Sequence, residues 1–216
     1  MTPRPRILLT GFEPFAGASV NPSWEAVRAL RDTPPAGIEL HVRCLPCAYG
    51  GTDAALAGAF DETAPDWTLL VGQAGGRAAI SLERFALNLD DTATADNAGI
   101  VHVDHTIVEG GPLAYASTLP LKAMAAALRA DGLPAELSST AGHFLCNRAF
   151  YLLMHTLRDT PHRRGGFVHV PHLPQQTTTD RPSLALAEQV RALRLLVECC
   201  RDGVAQTGTI AEGATC

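Results

Sequence analysis

"WTLLVGQ", residues 67–73, is the run on which the fold turns. It is short and apolar, and Gly75 and Gly76 close it. A run of this length with a glycine turn behind it reads as a buried strand, since a helix needs about ten residues or more. Working outward, "RILLTG" (6–11) has the same character and ends at Gly11. "IELHVRC" (38–44) alternates apolar and polar residues, which is strand-like. "ISLERFALNLDD" (80–91), "AELSST" (135–140) and "GFVHV" (166–170), which Pro171 halts, are further strand candidates. Helical patterns lie between them. Asn21 offers an N-cap with Pro22 at the first helical position, and Trp24, Val27 and Leu30 follow at spacing three, predicting a helix over 22–31. Thr52 offers a cap for a short helix to Phe60. Pro120 opens "LKAMAAALRA", another helix starts at Cys146, and a last one covers about 183–201.

Short apolar strands that alternate with helices predict an α/β fold: one domain over 1–216, a sandwich with a mainly parallel twisted central sheet and helices on both faces. No low-complexity linker or internal repeat divides the chain. In such sheets, sites gather beyond the carboxyl ends of the strands.

Composition narrows the function classes. The chain has 216 residues, 46% of them hydrophobic, which supports a core of ordinary size. Aromatics are 6%, so Ala, Leu and Val must build most of it. A formal net charge of −5 gives no general basic field for nucleic acid. Arg158, His162, Arg163 and Arg164 read as a solvated basic loop. No apolar run reaches the ~18 residues that span a bilayer. The opening "MTPRPRILLTGFEPF" holds only "ILL", against roughly 7–15 apolar residues for a secretory signal. A cytoplasmic protein is expected, without membrane or nucleic-acid partners. Six cysteines in this length do not make a disulfide scaffold.

Three residues invite a chemical reading. In "TAGHFLCNRAFYLLMHTLR" (140–158), Cys146 stands at the start of a helix whose buried stripe is Phe150, Leu153 and Leu157. A helix N-terminus carries about half a positive charge, which favours thiolate and can hold an oxyanion. Cys146 is equally read as a small buried hydrophobe. His169 sits in an apolar strand near its carboxyl end; it is either a base or a satisfied core histidine, and His143 and His172 compete with it. If 80–89 is one strand, Ser81, Glu83, Phe85, Leu87 and Leu89 share a face, and Glu83 then needs a partner such as an imidazolium, unless it frays to solvent.

Other motifs are weaker. "RCLPC" (43–47) holds a C-x-x-C, but it straddles a strand end, whereas redox pairs open a helix. Cys44 and Cys47 therefore read as packing. Zinc would need a second pair, and the adjacent Cys199 and Cys200 cannot easily face one metal. "GQAGGR" (72–77) lacks the nucleotide-loop spacings.

The ordered blocks "TGFEPFAGASVNPSWEAV", "VGQAGGR", "ISLERFALNLDD", "IVEGGPLAYASTLPLKAM", "GHFLCNRAFYLLMH" and "GFVHVPHLPQQ" run almost end to end. Together they resemble pyroglutamyl peptidase I, a cysteine peptidase family. The resemblance implies an enzyme that cleaves the amide bond after an N-terminal 5-oxoproline of peptides, through a thioester and with no metal or cofactor. It implies a Glu–Cys–His triad on Glu83, Cys146 and His169, and a pocket from Phe12, Phe15, Gln73, Thr94, Phe144 and Leu145. It also implies a homotetramer. Where the family typically has Asp-Asp-Ala-Arg-Ile-Pro-Asp-Asn, this chain reads "DDTATADN" (90–97), with Ala93 for the arginine and Thr94 for the pocket isoleucine. His143 and His172 replace residues that are often threonine and tyrosine. The alternatives are a catalytically weak pyroglutamyl-binding paralogue and, less favoured, a thiol-redox protein using Cys44 and Cys47.

Overall fold

The structure, a computed structural model, describes residues 4–177 and 180–203; Cys216 lies outside them. In chain order the elements are β1 (Arg6–Phe12), α1 (Pro22–Asp32), β2 (Glu39–Leu45), α2 (Tyr49–Thr63), β3 (Trp67–Gln73), β4 (Ile80–Glu83), β5 (Phe85–Leu87), β6 (Ala114–Ala116), α3 (Leu121–Ala130), β7 (Ala135–Ser138), α4 (Leu145–Leu157), β8 (Arg164–Val170) and α5 (Leu186–Arg201). A 3-10 turn, Pro174–Gln176, follows β8.

Six strands form one sheet in the order β2-β1-β3-β8-β4-β7. Four of its five pairings are parallel, and β4 meets β8 antiparallel. Alternation along the strands sorts side chains onto two faces. Ile7, Leu9, Leu69, Val71, Leu82, Val168 and Val170 join α1, α3 and α5 in one buried cluster. Phe12, Leu70 and Phe167 join α2 and α4 in the other. The result is an α/β/α sandwich of the kind expected. No described helix is long and apolar enough to cross a membrane.

Local chemistry explains most boundaries. The Asn21 side chain accepts the Ser23 N–H at 3.1 Å and so caps α1. β3 spans 67–73 as read, whereas α2 begins earlier than Thr52. Its first turn contains Gly50 and Gly51 and has no side-chain cap of its own. The buried carboxylate of Asp96 accepts the Tyr49 N–H at 2.9 Å instead, and a partner 47 residues away cannot be read locally. α5 starts at Leu186 rather than about 183, where the Glu188 side chain accepts the Ala185 N–H. The basic run is not a free loop. Arg164 opens β8 and lies 5.2 Å over the Trp67 ring, and Arg163 lies 5.2 Å over Phe60.

The 80–91 segment is corrected in the same way. It is two strands, not one. β4 stays in the main sheet, while β5 pairs antiparallel with β6 in a separate two-stranded sheet. The switch falls at Arg84, whose N–H donates to Ser138 O and whose carbonyl accepts the Ser117 N–H. Glu83 therefore ends a strand, and Phe85 is 41% exposed rather than buried beside it.

Candidate active site

His169 lies one residue from the carboxyl end of β8, and its neighbour across the β3–β8 pairing is Gly72. Ser81 faces it across the antiparallel β4 pairing, with Glu83 two residues further, opposite Phe167. All four lie on the α2/α4 face of the sheet. The carboxylate Oε1 of Glu83 accepts the Nδ1–H of His169 at 2.7 Å. Arg77 donates to the same oxygen at 2.6 Å. With Nδ1 protonated by this bond, the lone pair of a neutral imidazole sits on Nε2. Glu83 Oε2 is buried without a hydrogen-bond partner.

Cys146 is the second residue of α4. Phe144 caps that helix without a side-chain hydrogen bond, so its first N–H groups have no intrahelical partner. A Cβ on Gly72 would meet the Cys146 sulfur at 2.8 Å and the Phe167 ring at 2.7 Å. Since Gly72 pairs with His169, the thiol is seated on the imidazole's face of the sheet. Only a residue without a side chain at 72 leaves room for it.

The electrostatics differ from the sequence expectation of a depressed thiol pKa. Burial, then the Glu83 carboxylate, pushes Cys146 up to about 12, against the pull of Arg77 and of its own backbone N–H. Burial lowers His169, opposed by the hydrogen bond and charge of Glu83 and reinforced by Arg77. Both shifts favour the uncharged forms of a thiol and an imidazole that line the same cavity. Such a pair can transfer its proton when the sulfur attacks, and needs no standing ion pair.

The thiol and imidazole open into a cavity of about 290 Å³. Phe12, Phe15, Phe144 and Leu145 supply apolar wall, and Gln73, Asn21 and His143 supply polar groups. The Phe15 and Phe144 rings pack at 6.1 Å. Glu13 anchors the Phe12–Phe15 wall, its carboxylate accepting from the Cys47 N–H and the Asn97 amide at 2.9 Å each. The Gln73 side chain is already engaged, at 3.0 Å from His172 and 3.2 Å from Gln176. Thr94 is the predicted pocket residue that the structure does not bring to this cavity. It is exposed, in a loop whose inward anchor is Asp96. Asp96 accepts the N–H groups of Tyr49, Ala98 and Ile100, and the chain around Thr94 turns outward.

A family model described as pyroglutamyl peptidase matches residues 5–202. The chain belongs to the pyroglutamyl peptidase family. A pyrrolidone-carboxylate peptidase of Clavibacter michiganensis is 48% identical over 194 residues, 89% of this chain and 91% of the relative. The crystal structure of pyroglutamyl peptidase I from Bacillus amyloliquefaciens superposes with a TM-score of 0.85 at 41% identity, covering 89% of this chain and 94% of the other. The pyrrolidone carboxyl peptidase of Fervidobacterium islandicum gives a TM-score of 0.88 at 38% identity, covering 91% and 98%.

Within this pyroglutamyl peptidase fold, two residues of the site escaped the sequence reading. Arg77, in the glycine-rich turn after β3, carries no motif signal, yet it holds Glu83 and borders the cavity. Gly72 looked like one more strand residue. Both become meaningful only once β3, β4 and β8 lie side by side. The C-x-x-C thiols do not form an activated pair. Burial raises Cys44 to about 11, and Cys47 is raised further and donates its S–H to Glu13 O at 3.2 Å. Thiols held protonated in this way are poor redox nucleophiles.

Proposed function

We propose that this chain is a cysteine exopeptidase that removes N-terminal 5-oxoproline from peptides, with Cys146 as nucleophile, His169 as base and Glu83 as the group that orients the base. The observation that carries the reading is the Glu83–His169 bond of 2.7 Å, with the Cys146 sulfur against Gly72 on the same face. The names of the relatives supply the substrate class.

The chemistry follows from the groups present. The lactam ring enters between Phe12, Phe15 and Phe144, where a flat apolar ring without a charged amine is favoured. The sulfur attacks the carbonyl after the ring, and its proton passes to Nε2 of His169. The unpaired N–H groups at the start of α4 stabilise the oxyanion. The C–N bond breaks, and His169 gives the proton to the leaving amine. Water, deprotonated by the same imidazole, then cleaves the thioester and regenerates the thiol. Glu83 holds the tautomer and balances the transient imidazolium. The family resemblance further supports a homotetramer, which light scattering on the purified protein would test.

Paired amides test the substrate class. A pyroglutamyl amide should turn over, and the matching prolyl amide should not. The prolyl amine would bring a charge into an aromatic slot and lose the lactam carbonyl, and sites that read such groups can discriminate by ~10⁴-fold or more. Comparable cleavage of the two would sink the reading.

A further inference from the structure

A second cluster lies outside the cavity. Asp90 and His105 face each other in an isolated antiparallel bridge, closed by Asp90 N–H to His105 O at 2.8 Å and His105 N–H to Asp90 O at 2.9 Å. His102 Nδ1 is 3.2 Å from Asp90 Oδ2, and His105 Nδ1 is 3.9 Å from the same oxygen. One ligand atom from each of the three residues lies within 4.8 Å of the other two. The Tyr49 ring stacks on His102 at 3.8 Å and holds it, while the His105 ring lies face to face on His102 at 4.1 Å. The half-exposed His105 must turn about its own side chain before both rings aim their in-plane lone pairs at one ion.

An independent feature points to a missing partner. Asp90 is completely buried; its Oδ2 faces both imidazoles and Arg148, and its Oδ1 has no hydrogen-bond partner. Native structures rarely leave such an oxygen bare. The nearby cation does not remove the need. Arg148 reaches Asp90 Oδ2 at 2.5 Å, but Asp53 holds the same guanidinium through two bonds of 2.8 and 2.7 Å. One arginine between two carboxylates leaves a net negative charge. Two imidazoles and a carboxylate are the donor set that zinc and its neighbours accept. Bonds of about 2.0–2.2 Å to a tetrahedral ion separate ligand atoms by roughly 3.3–3.6 Å, between the two separations found here.

We propose that Asp90, His102 and His105 form a binding site for one divalent transition-metal ion of the zinc class, with a remaining position open to water beside the half-exposed His105. The ion would pin one wall of the cavity from behind. The Asp91 N–H donates to His143 O at 3.0 Å, and Tyr49 meets Phe144 edge-on at 5.8 Å.

The test is a zinc titration of chelator-treated protein by calorimetry. It is done in the Cys146→Ala variant, so that the thiol and His169, which line one cavity, cannot supply a competing site. One equivalent should bind and raise the melting temperature. Adding His105→Ala or His102→Ala should weaken binding by about 100-fold or more, since loss even of a group that only supports a ligand costs about 10–100-fold. His105 is half-exposed and belongs to neither buried apolar cluster, so its variant should fold, with circular dichroism as the check. Cobalt(II) in the same site should give d–d bands without thiolate charge transfer. No binding, binding that survives His105→Ala unchanged, or a sulfur band in the cobalt spectrum would overturn the proposal.

Discussion

The two faces of the central sheet are built to different rules. On the face covered by α1, α3 and α5, Leu9, Leu69, Val71, Leu82 and Val168 are all aliphatic and fully buried. The face covered by α2 and α4 buries Thr10, Thr68, Ser81, Glu83 and His169, and is interrupted by Gly72 and Gly165. Three of its oxygens, on Thr10, Thr68 and Glu83, have no hydrogen-bond partner. A buried polar atom left bare costs about 1–3 kcal/mol. The aliphatic face therefore stabilises, and the polar face uses part of that stability to hold an acid, a base and a thiol in register.

The largest effect should come from His169→Ala. Losing the proton carrier should lower kcat by about 10²–10⁴-fold, while Glu83→Gln should leave more activity, because it orients and does not carry the proton. Steady-state kinetics on a pyroglutamyl amide decides the order. If His143→Ala proves as damaging as His169→Ala, the base belongs to the cavity wall and not to the sheet.

Gly72→Ala sharpens the contrast on the same face. The new methyl meets the Cys146 sulfur and the Phe167 ring, so the thiol must shift, and a displacement near 1 Å can cost about 10²-fold in kcat/KM. Leu196→Ala probes the opposite side, deep in the aliphatic cluster. Denaturant melts should show a loss of about 2–5 kcal/mol, with kcat unchanged at temperatures where the variant stays folded. A kcat that falls in step with stability would erase the division between the faces.

A smaller shift is expected in pH dependence. The working base is neutral imidazole, and burial with Arg77 lowers the His169 pKa below its ordinary 6.5. Activity should therefore persist below that pH and fall only as pH drops through the lowered value. Arg77→Gln removes a cation that disfavours imidazolium, so the acid limb of kcat/KM should move to higher pH. A shift toward lower pH would show that Arg77 acts mainly through Glu83's position. The smallest effect is assigned to Thr94→Ile: exposed and away from the cavity, it should leave KM unaltered.

The same division explains what was legible in the sequence. β3, β1 and β8 announce themselves, because buried parallel strands are short apolar runs that the chain must bury wherever they pair. Cys146 and His169 were visible through their places at a helix start and a strand end. The split at Arg84 was not, since alternation continues while the partner strand changes from β8 to β6. The start of α2 depends on Asp96, and the role of Arg77 on Glu83 being folded against it. Neither leaves a periodic signal. Thr94 was expected in the pocket by resemblance alone, and loop geometry carries it outward.

The most direct test of the central claim is alkylation followed residue by residue. The purified protein is treated with iodoacetamide, and mass spectrometry maps the label as pyroglutamyl amidase activity decays. Cys146 should be modified in proportion to lost activity, more slowly in His169→Ala because the raised thiol pKa leaves the imidazole to take its proton. The hydrogen-bonded, buried Cys47 should stay unlabelled. Full inactivation with Cys146 unmodified, or full modification of Cys146 with activity intact, would contradict the assignment.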